Sequence, residues 1–419
     1  MSHQVIEKAL TLIDNGDVEQ GLNILRDNQS AFNEEDLFHT AQIYQQLGML
    51  EESKELLKGL LYHYPNEPDL ILSLAEVYID LDEEDEAMAL LENIEEEEEG
   101  YIQGLLLLAD LYQAQGLYEV SENKLLMAKK ISPSEPIIDL ALGEINLSQG
   151  DYKKAIPYYK AVVPHRKEIE FDLEERLAEC YSATGQFEEA IPYFDTALQK
   201  ELKIDVLFQY GFTALQAGYY KTAIEKLNEV KQLDYEYSSL YLYLAKAYEQ
   251  EGLLQESLGA AKEGLVVNEY NKELQVFAAK VALKQNNTNE AEKLLREAIA
   301  IDPGYIEAAI TLTKIFLQEE QYEDVVDCLQ ELIKFGETDP QFDWDLAVAN
   351  QKLENYSDAL NHYRQAYTSF KDDSGFLYDY AYFLLEEGKR EEAKVLFEKL
   401  IQLDPTNMEL QDVYTNLDE

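Results

Sequence analysis

Cysteine is scarce in this chain: there are two, Cys180 and Cys328, separated by 148 positions in 419 residues. With no Cys-x-x-Cys, this excludes a disulfide framework, a zinc ribbon and a dithiol redox centre. Both fall in helical apolar patterns and read as buried free thiols of a reducing compartment. Positive charge is equally short, since 34 Lys and Arg face 84 Asp and Glu for a formal net charge of −50. Such a chain repels nucleic acid and anionic lipid on average, so neither is an expected partner. Long apolar runs are missing too; among the richest, Gly104–Ala109 is far too short to cross a bilayer. The start, Met-Ser-His-Gln-Val-Ile-Glu, shows no signal-peptide pattern, and the end, Asn416-Leu-Asp-Glu419, no lipidation motif. A cytoplasmic location is the expectation.

The motifs of catalysis are absent as well. There is no phosphate-binding Gly-x-x-x-x-Gly-Lys-Ser/Thr, no Gly-x-Gly-x-x-Gly and no Gly-x-Ser-x-Gly. The histidines His3, His39, His63, His165 and His362 are scattered, without paired metal-ligand spacing. An enzyme or metal protein is therefore the least supported class, and no cofactor is expected. The acidic runs Asp82–Glu86 and Glu95–Glu99 lack the glycine and alternating ligands of a calcium loop. They read as a solvated turn and helix end, with a docking patch for a basic partner as the alternative.

What the sequence does contain is a period. Hydrophobic residues make up 46% of it, enough for a long continuous core. A small residue recurs at 41, 75, 109, 143, 178, 211, 245, 279, 313, 347 and 381, in steps of 34 with one of 35 and one of 33. Three positions on comes Tyr or another large residue, then often Gly four later and Ala or Ser five later. Clear copies are Ala41, Tyr44, Gly48, Ser53, Leu57 and Ala109, Tyr112, Gly116, Ser121, Leu125. Ala178, Tyr181, Gly185, Ala190, Phe194 and Ala381, Gly388, Ala393, Phe397 are as plain, and Ala9, Gly16, Gly21 is a weaker first copy. That makes twelve.

Within each copy, apolar positions recur at three- and four-residue steps, which predicts two amphipathic helices of about 14 residues. Glycine at the break ends the first helix. The following Ala or Ser lets the second approach it closely. Pro65, Pro133, Pro303 and Pro405 stop second helices, since proline cannot continue one. Pro157 and Pro192, in matching Ala-Ile-Pro-Tyr contexts, are expected near the first turn of theirs.

This order of residues resembles the tetratricopeptide-repeat (TPR) family over roughly residues 3–405. The family's early Trp is nearly absent, and repeats 1, 3, 7 and 10 depart from the pattern; Asp82, for instance, stands in place of Gly. As a whole the chain is similar to the acidic, all-TPR cytosolic proteins of low-GC Gram-positive bacteria. The resemblance implies an all-α, right-handed superhelical solenoid of about twelve helix-turn-helix repeats over 1–405, with residues 406–419 as a C-terminal capping helix.

It also implies that ligands lie along the first helices. The position after each small residue reads Gln42, Glu76, Asp110, Glu144, Glu179, then Phe212, Lys246, Lys280, Lys314, Val348, Tyr382. The first half is acidic, and the second carries three lysines 34 apart in a chain of net charge −50. Lys284 and Lys352 fall on nearly the same face, with aromatics Phe208, Tyr243, Phe277, Trp344 and Tyr378 alongside. Repeats 3–6 would then suit a basic segment, and repeats 7–12 an acidic or aromatic one. The alternative is that each lysine pairs with Glu273, Glu307 or another carboxylate on a solvated surface. The aromatics lean toward core, Phe208 and Phe277 foremost. No three consecutive repeats carry the Lys/Asn set of the two-carboxylate clamp of chaperone-binding TPR proteins. The expected function is a protein-interaction scaffold or adaptor; a peptide-sensing regulator is the alternative, and a homodimer remains open.

Overall fold

The structure is a computed structural model describing residues 2–96, 100–167, 169 and 171–417. Every regular element among the described residues is helical. The chain divides into two compact units, Met1–Glu201 and Leu202–Glu419.

The N-terminal unit holds six helix pairs. They are α1 (Ser2–Asp14) with α2 (Val18–Asn28), α3 (Glu34–Gln46) with α4 (Leu50–His63), and α5 (Pro68–Asp80) with α6 (Glu84–Leu91). Then come α7 (Tyr101–Ala114) with α8 (Tyr118–Ile131), α9 (Pro136–Ser148) with α10 (Tyr152–Val162), and α11 (Leu173–Ala183) with α12 (Phe187–Lys200). The C-terminal unit repeats the plan: α13 (Ile204–Gln216) with α14 (Tyr220–Leu233), α15 (Leu240–Gln250) with α16 (Leu254–Val267), and α17 (Lys272–Lys284) with α18 (Thr288–Ile301). It continues with α19 (Ile306–Gln318) and α20 (Tyr322–Lys334), α21 (Pro340–Lys352) and α22 (Tyr356–Phe370), then α23 (Ser374–Glu386) and α24 (Arg390–Leu403). A last helix, α25 (Met408–Asn416), packs on α24 and buries Leu410, as a capping helix should. Within each unit the helices of a pair pack together and each pair packs on the next.

The turn inside each pair has one chemistry. In the second repeat the Met49 amide donates to Tyr44 O (2.8 Å) and the Gly48 amide to Gln45 O (2.9 Å), closing α3 with a Schellman motif. The residue between must take a left-handed conformation, which Gly48 does at φ 73°. Glycine fills that site in eight repeats. Asp82, Asn286, Glu320 and Glu354 fill it in the other four, at φ 60°, 59°, 61° and 62°. The motif survives these substitutions: Gln321 N donates to Phe316 O at 2.8 Å.

The small residues sit where first and second helices touch. Ala9, Ala41, Ala75, Ala178, Ala245, Ala279, Ala347 and Ala381 are wholly buried. Serine at the facing position contributes a bond as well as small size. Ser53, Ser121 and Ser257 donate their hydroxyls to the carbonyls of Ala41 (2.8 Å), Ala109 (2.7 Å) and Ala245 (2.8 Å). That satisfies a buried polar group inside the contact. At Gly143 the fit is tighter still, since a Cβ there would lie 2.6 Å from the Tyr159 ring.

Two expectations need correction here. Pro157 and Pro192 each lie at the sixth residue of their helix, in the second turn and not near the first. Both are exposed, as are Lys153 and Glu188, whose carbonyls lose the proline's amide bond, so water can solvate that side. Second, α6 has 8 residues, far short of 14. Glu84, Asp85 and Glu86 suit its N-terminal turn, whereas Glu92, Glu95 and Glu96 oppose the dipole where a further turn would form. Glu97–Glu99, part of the second acidic run, lie outside the described residues, as do Asp418 and Glu419 at the C-terminal end.

Candidate functional site

The first helices of the C-terminal unit bring several expected residues together. Phe208 and Phe212 project from α13 one turn apart, and Tyr243 from α15 meets both, with ring centroids at 5.7 and 5.0 Å. Tyr237 closes on Phe208 at 5.0 Å. Lys246, one turn beyond Tyr243, holds its amine 5.7 Å from that ring. Phe208 and Phe277 were expected in the core; both are only part-buried, because the residues flanking them (Val206 and Leu207, Val276 and Ala278) take the inward positions.

The lysines do not form one uniform ladder. Lys280 pairs with Glu307 at 2.5 Å, and Tyr305 donates its hydroxyl to the same carboxylate at 3.2 Å. The Lys280 amine holds the Glu307 carboxyl below the ordinary carboxylate range, with Lys246 adding a weaker pull in the same direction. Lys284 pairs with Glu249 at 2.7 Å. Glu273 takes neither. Lys314 and Lys352 are exposed and have no ion-pair partner within 4.0 Å among the described residues.

Further along, the aromatics turn inward. Trp344 donates its indole N–H to Asp379 at 3.0 Å and meets Phe370 and Phe376 edge-on at 5.2 and 5.4 Å. Burial raises the Asp379 carboxyl, opposed by that bond. Tyr382 packs between Tyr378 (4.4 Å) and Phe397 (5.3 Å). Trp344 and Tyr382 are therefore held by their own unit, while Phe212 and Tyr243 form a half-open aromatic surface beside Lys246.

The N-terminal unit shows the converse. Glu76 on α5 and Asp110 on α7 are exposed and have no ion-pair partner among the described residues. Desolvation nevertheless pushes the Asp110 carboxyl up, as expected of a group that water reaches but protein surrounds. Glu144 and Glu179 are not free. Arg176, absent from the expected set, pairs with Glu144 at 3.2 Å and Glu179 at 3.3 Å, and Tyr159 donates its hydroxyl to Glu144. Arg176 lies three residues before Glu179 on the same face of α11, and that spacing is the signal that would have found it.

The thiols differ. Cys180 is buried and free, and burial pushes it up to about 12. Cys328 is free but only part-buried, a correction, and burial raises it to about 11. Among the described residues no group of three or more His, Cys, Asp or Glu is placed to hold a metal ion. No helix of the described residues is long and apolar enough to cross a membrane.

Comparison with known proteins agrees with this architecture. The family model "YpiA-like, C-terminal tetratricopeptide repeats" matches residues 340–407, and "YpiA-like, tetratricopeptide repeats" matches 113–165. A general tetratricopeptide-repeat model matches 44–111, 146–206 and 282–343. The chain is 45% identical over 416 residues to the TPR repeat-containing protein YpiA of Bacillus subtilis (strain 168), covering 99% of this chain and 98% of that one. It is 27% identical over 195 residues to the heat shock protein STI1 of Saccharomyces cerevisiae, covering 46% of this chain and 32% of that protein. Among solved structures, YrrB, titled a TPR protein with an unusual peptide-binding site, is similar at 17% identity and TM-score 0.38, over 44% of this chain and 95% of that one. The full-length match, with the helix pairs and turns described above, places the chain in the tetratricopeptide-repeat family, among its YpiA-like members.

Proposed function

We propose that this chain is an interaction scaffold that captures a segment of a partner protein on the first helices of its C-terminal unit, by binding and without turnover. Proteins of this fold generally serve as protein–protein interaction scaffolds. One observation carries the finer reading: Phe208, Phe212 and Tyr243 form a part-exposed aromatic surface with Lys246 at its edge and Lys280 one repeat on. Aromatic rings that stay half open supply contact area, and flanking charges set register and on-rate. An acidic or aromatic segment suits this face. Lys314 and Lys352, which have no ion-pair partner within 4.0 Å among the described residues, extend its positive charge. On the N-terminal unit, Glu76 and Asp110 are the carboxylates best able to meet a basic segment.

The test compares crosslinked pull-downs from native lysate by the wild type, by Lys246→Glu/Lys280→Glu/Lys314→Glu and by Phe212→Ala/Tyr243→Ala. Circular dichroism first establishes that each variant is folded. Partners retained by the wild type and lost from both variants support the reading. Identical partners on all three proteins overturn it and move the search to Glu76 and Asp110.

A further inference from the structure

The tenth repeat, α19 with α20, is built differently from the others. At the two positions where first and second helices touch, every other repeat carries Ala, Gly or Ser on both sides. Here both are β-branched, Thr313 and Val325, and both are wholly buried. Two Cγ-bearing side chains cannot be accommodated in a contact sized for Cβ atoms without separating the helices. Accordingly α19 and α20 touch along less of their length than most other pairs of the C-terminal unit.

A second deviation falls at the same place. The side chain on the outer seam of each second helix reads Tyr158, Tyr193, Lys226, Ala260, Leu294, Cys328, His362, Leu396 through successive repeats. In the tenth it is a thiol, small and part-exposed. Ala260 is smaller still, yet it is 5% exposed, because its repeat keeps the close Ala245–Ser257 contact. The short side chain and the widened pair together open a cavity of about 720 Å³ between α18, α19 and α20. That lies in the range of about 300–1,000 Å³ typical of ligand pockets.

The lining has a definite chemistry. Leu312 and Phe316, 2% and 1% exposed, form the floor beside Ile299, and Phe335, 65% exposed, stands at the mouth. Asp324, Asp327 and Glu331 on α20 also line it, and none has an ion-pair partner within 4.0 Å among the described residues. Lys334 is the one unpaired cation among the lining residues, since Arg296 is held by Glu292 at 2.8 Å. Arg296 also lies over the Phe316 ring, 5.0 Å from its centroid, so the lining carries three carboxylates against two cations, a net negative charge around a floor that one guanidinium partly covers. The thiol is pushed up to about 11 by burial, so it stays neutral at physiological pH and adds to the apolar wall, not to any thiolate chemistry.

We propose that this cavity is a docking site for a bulky apolar side chain carried on a basic segment of a partner protein. It lies on a different surface from the first-helix face and does not depend on the function proposed for that face. The charge on the rim selects the occupant: an acidic or neutral anchor of the same size would leave the three carboxylates uncompensated.

The test uses the full chain and three synthetic peptides, Lys-Lys-Trp-Lys-Lys, Glu-Glu-Trp-Glu-Glu and Lys-Lys-Ala-Lys-Lys. Alkylation of Cys328 by N-ethylmaleimide is followed by mass spectrometry, with buried Cys180 as the internal blank. The basic tryptophan peptide is expected to slow labelling of Cys328 saturably, by about fivefold or more, and the other two by less than about twofold. Asp327→Lys, an exposed change, is expected to remove the protection, read as the ratio of labelling rates with and without peptide, because a lysine beside Cys328 itself raises the basal rate. Equal protection by the alanine peptide would mean charge attraction alone and would overturn the proposal. So would equal protection by the acidic tryptophan peptide, or protection by none. Independently, fluorescein-labelled Lys-Lys-Trp-Lys-Lys, measured by anisotropy in excess alanine peptide, should bind Cys328→Leu at least about fivefold more weakly; unchanged binding overturns the site.

Discussion

The two units carry mirror-image charge devices on equivalent helices. In the N-terminal unit one cation, Arg176, lies between two carboxylates of successive repeats, Glu144 and Glu179. In the C-terminal unit one carboxylate, Glu307, pairs with Lys280 and feels a weaker pull from Lys246. Each face has a majority sign, and each spends a residue of the other sign on it: Arg176 on two carboxylates, Glu307 on one lysine. The comparison shows that a run of like charges at one repeat position is an upper bound on the free charge. What stays without an ion pair among the described residues is the remainder: Glu76 and Asp110 on one unit, Lys314 and Lys352 on the other.

The units also differ in how their turns are made. One left-handed turn site in the N-terminal unit lacks glycine, Asp82, against three in the C-terminal unit, Asn286, Glu320 and Glu354. Both units also hold glycines with no room for a Cβ, Gly143 in the first and Gly211 and Gly264 in the second; at Gly143 the crowding neighbour, Tyr159, also donates to Glu144. The largest effect expected is therefore from Gly143→Ala. The new Cβ would sit 2.6 Å from the Tyr159 ring and displace it from Glu144. A loss of about 1–3 kcal/mol is expected in urea denaturation. Tyr159→Phe separates the two contributions. It keeps the ring and removes only the bond to Glu144, and should cost about 0.5–1.5 kcal/mol. If both variants lose the same amount, the hydrogen bond, and not the packing, governs the site.

Next in size are exchanges at the turns. Glu320→Gly and Glu354→Gly relieve a left-handed backbone that costs an L-residue about 1–2 kcal/mol, so each should stabilise the C-terminal unit by about 1 kcal/mol net of glycine's extra unfolded-state freedom. Gly116→Glu, made at φ 75° in the N-terminal unit, should lose a similar amount. Hydrogen exchange resolves which unit responds. A gain in the wrong unit, or none, would contradict the strain argument. Asn286→Gly should gain least, since asparagine tolerates this region.

The period of 34, the helix pairs and the turn sites were legible because each repeat must solve the same contact problem with its neighbours, which stamps the same residue types on the sequence. The faces were only half legible. Spacing identified Lys280 and Glu307 as neighbours, but which carboxylate wins depends on side-chain reach, and Glu273 lost to Glu307. Arg176 was missed because it does not stand at the position after the small residue. Trp344 was read by position, as one of the aromatics alongside the lysine face. Its indole bond to Asp379, across 35 residues, comes from the stacking of repeats and has no local signature. The cavity of the tenth repeat was written in the sequence as Thr313, Val325 and Cys328, but only alignment of those positions against the other repeats makes the deviation visible.

Removing the minority charge from each face gives a smaller effect, expected in opposite directions for the two units' ligands. Arg176→Gln leaves Glu144 and Glu179 uncompensated. Because all three side chains are about a third exposed, the loss should stay below about 1 kcal/mol and shrink with added salt. A basic probe peptide should then bind the N-terminal unit more tightly, measured by anisotropy at low salt. Unchanged affinity would mean that these carboxylates do not face the ligand.

The smallest effect, and the one with the clearest sign, is at Glu307. Its carboxyl is held below the ordinary range by Lys280 in the folded protein, so the folded state binds a proton less readily than the unfolded chain. The stabilisation is present above the unfolded value, near pH 4.3–4.5 for a free glutamate, and is lost as pH falls through the lower folded value. Glu307→Gln abolishes it at every pH. Wild type and variant should therefore differ at pH 7, by no more than about 0.5 kcal/mol for a side chain half exposed, and converge as acidification carries the pH below the lowered folded value. A difference that persists at low pH would mean the residue acts through packing, not charge. At pH 7 the same variant frees Lys280 and removes a nearby negative charge from Lys246, so an acidic probe peptide should bind the C-terminal unit more tightly. Tighter binding with lower stability is the signature of a charge drawn off from a binding face; weaker binding would show that Glu307 orders that face for its ligand.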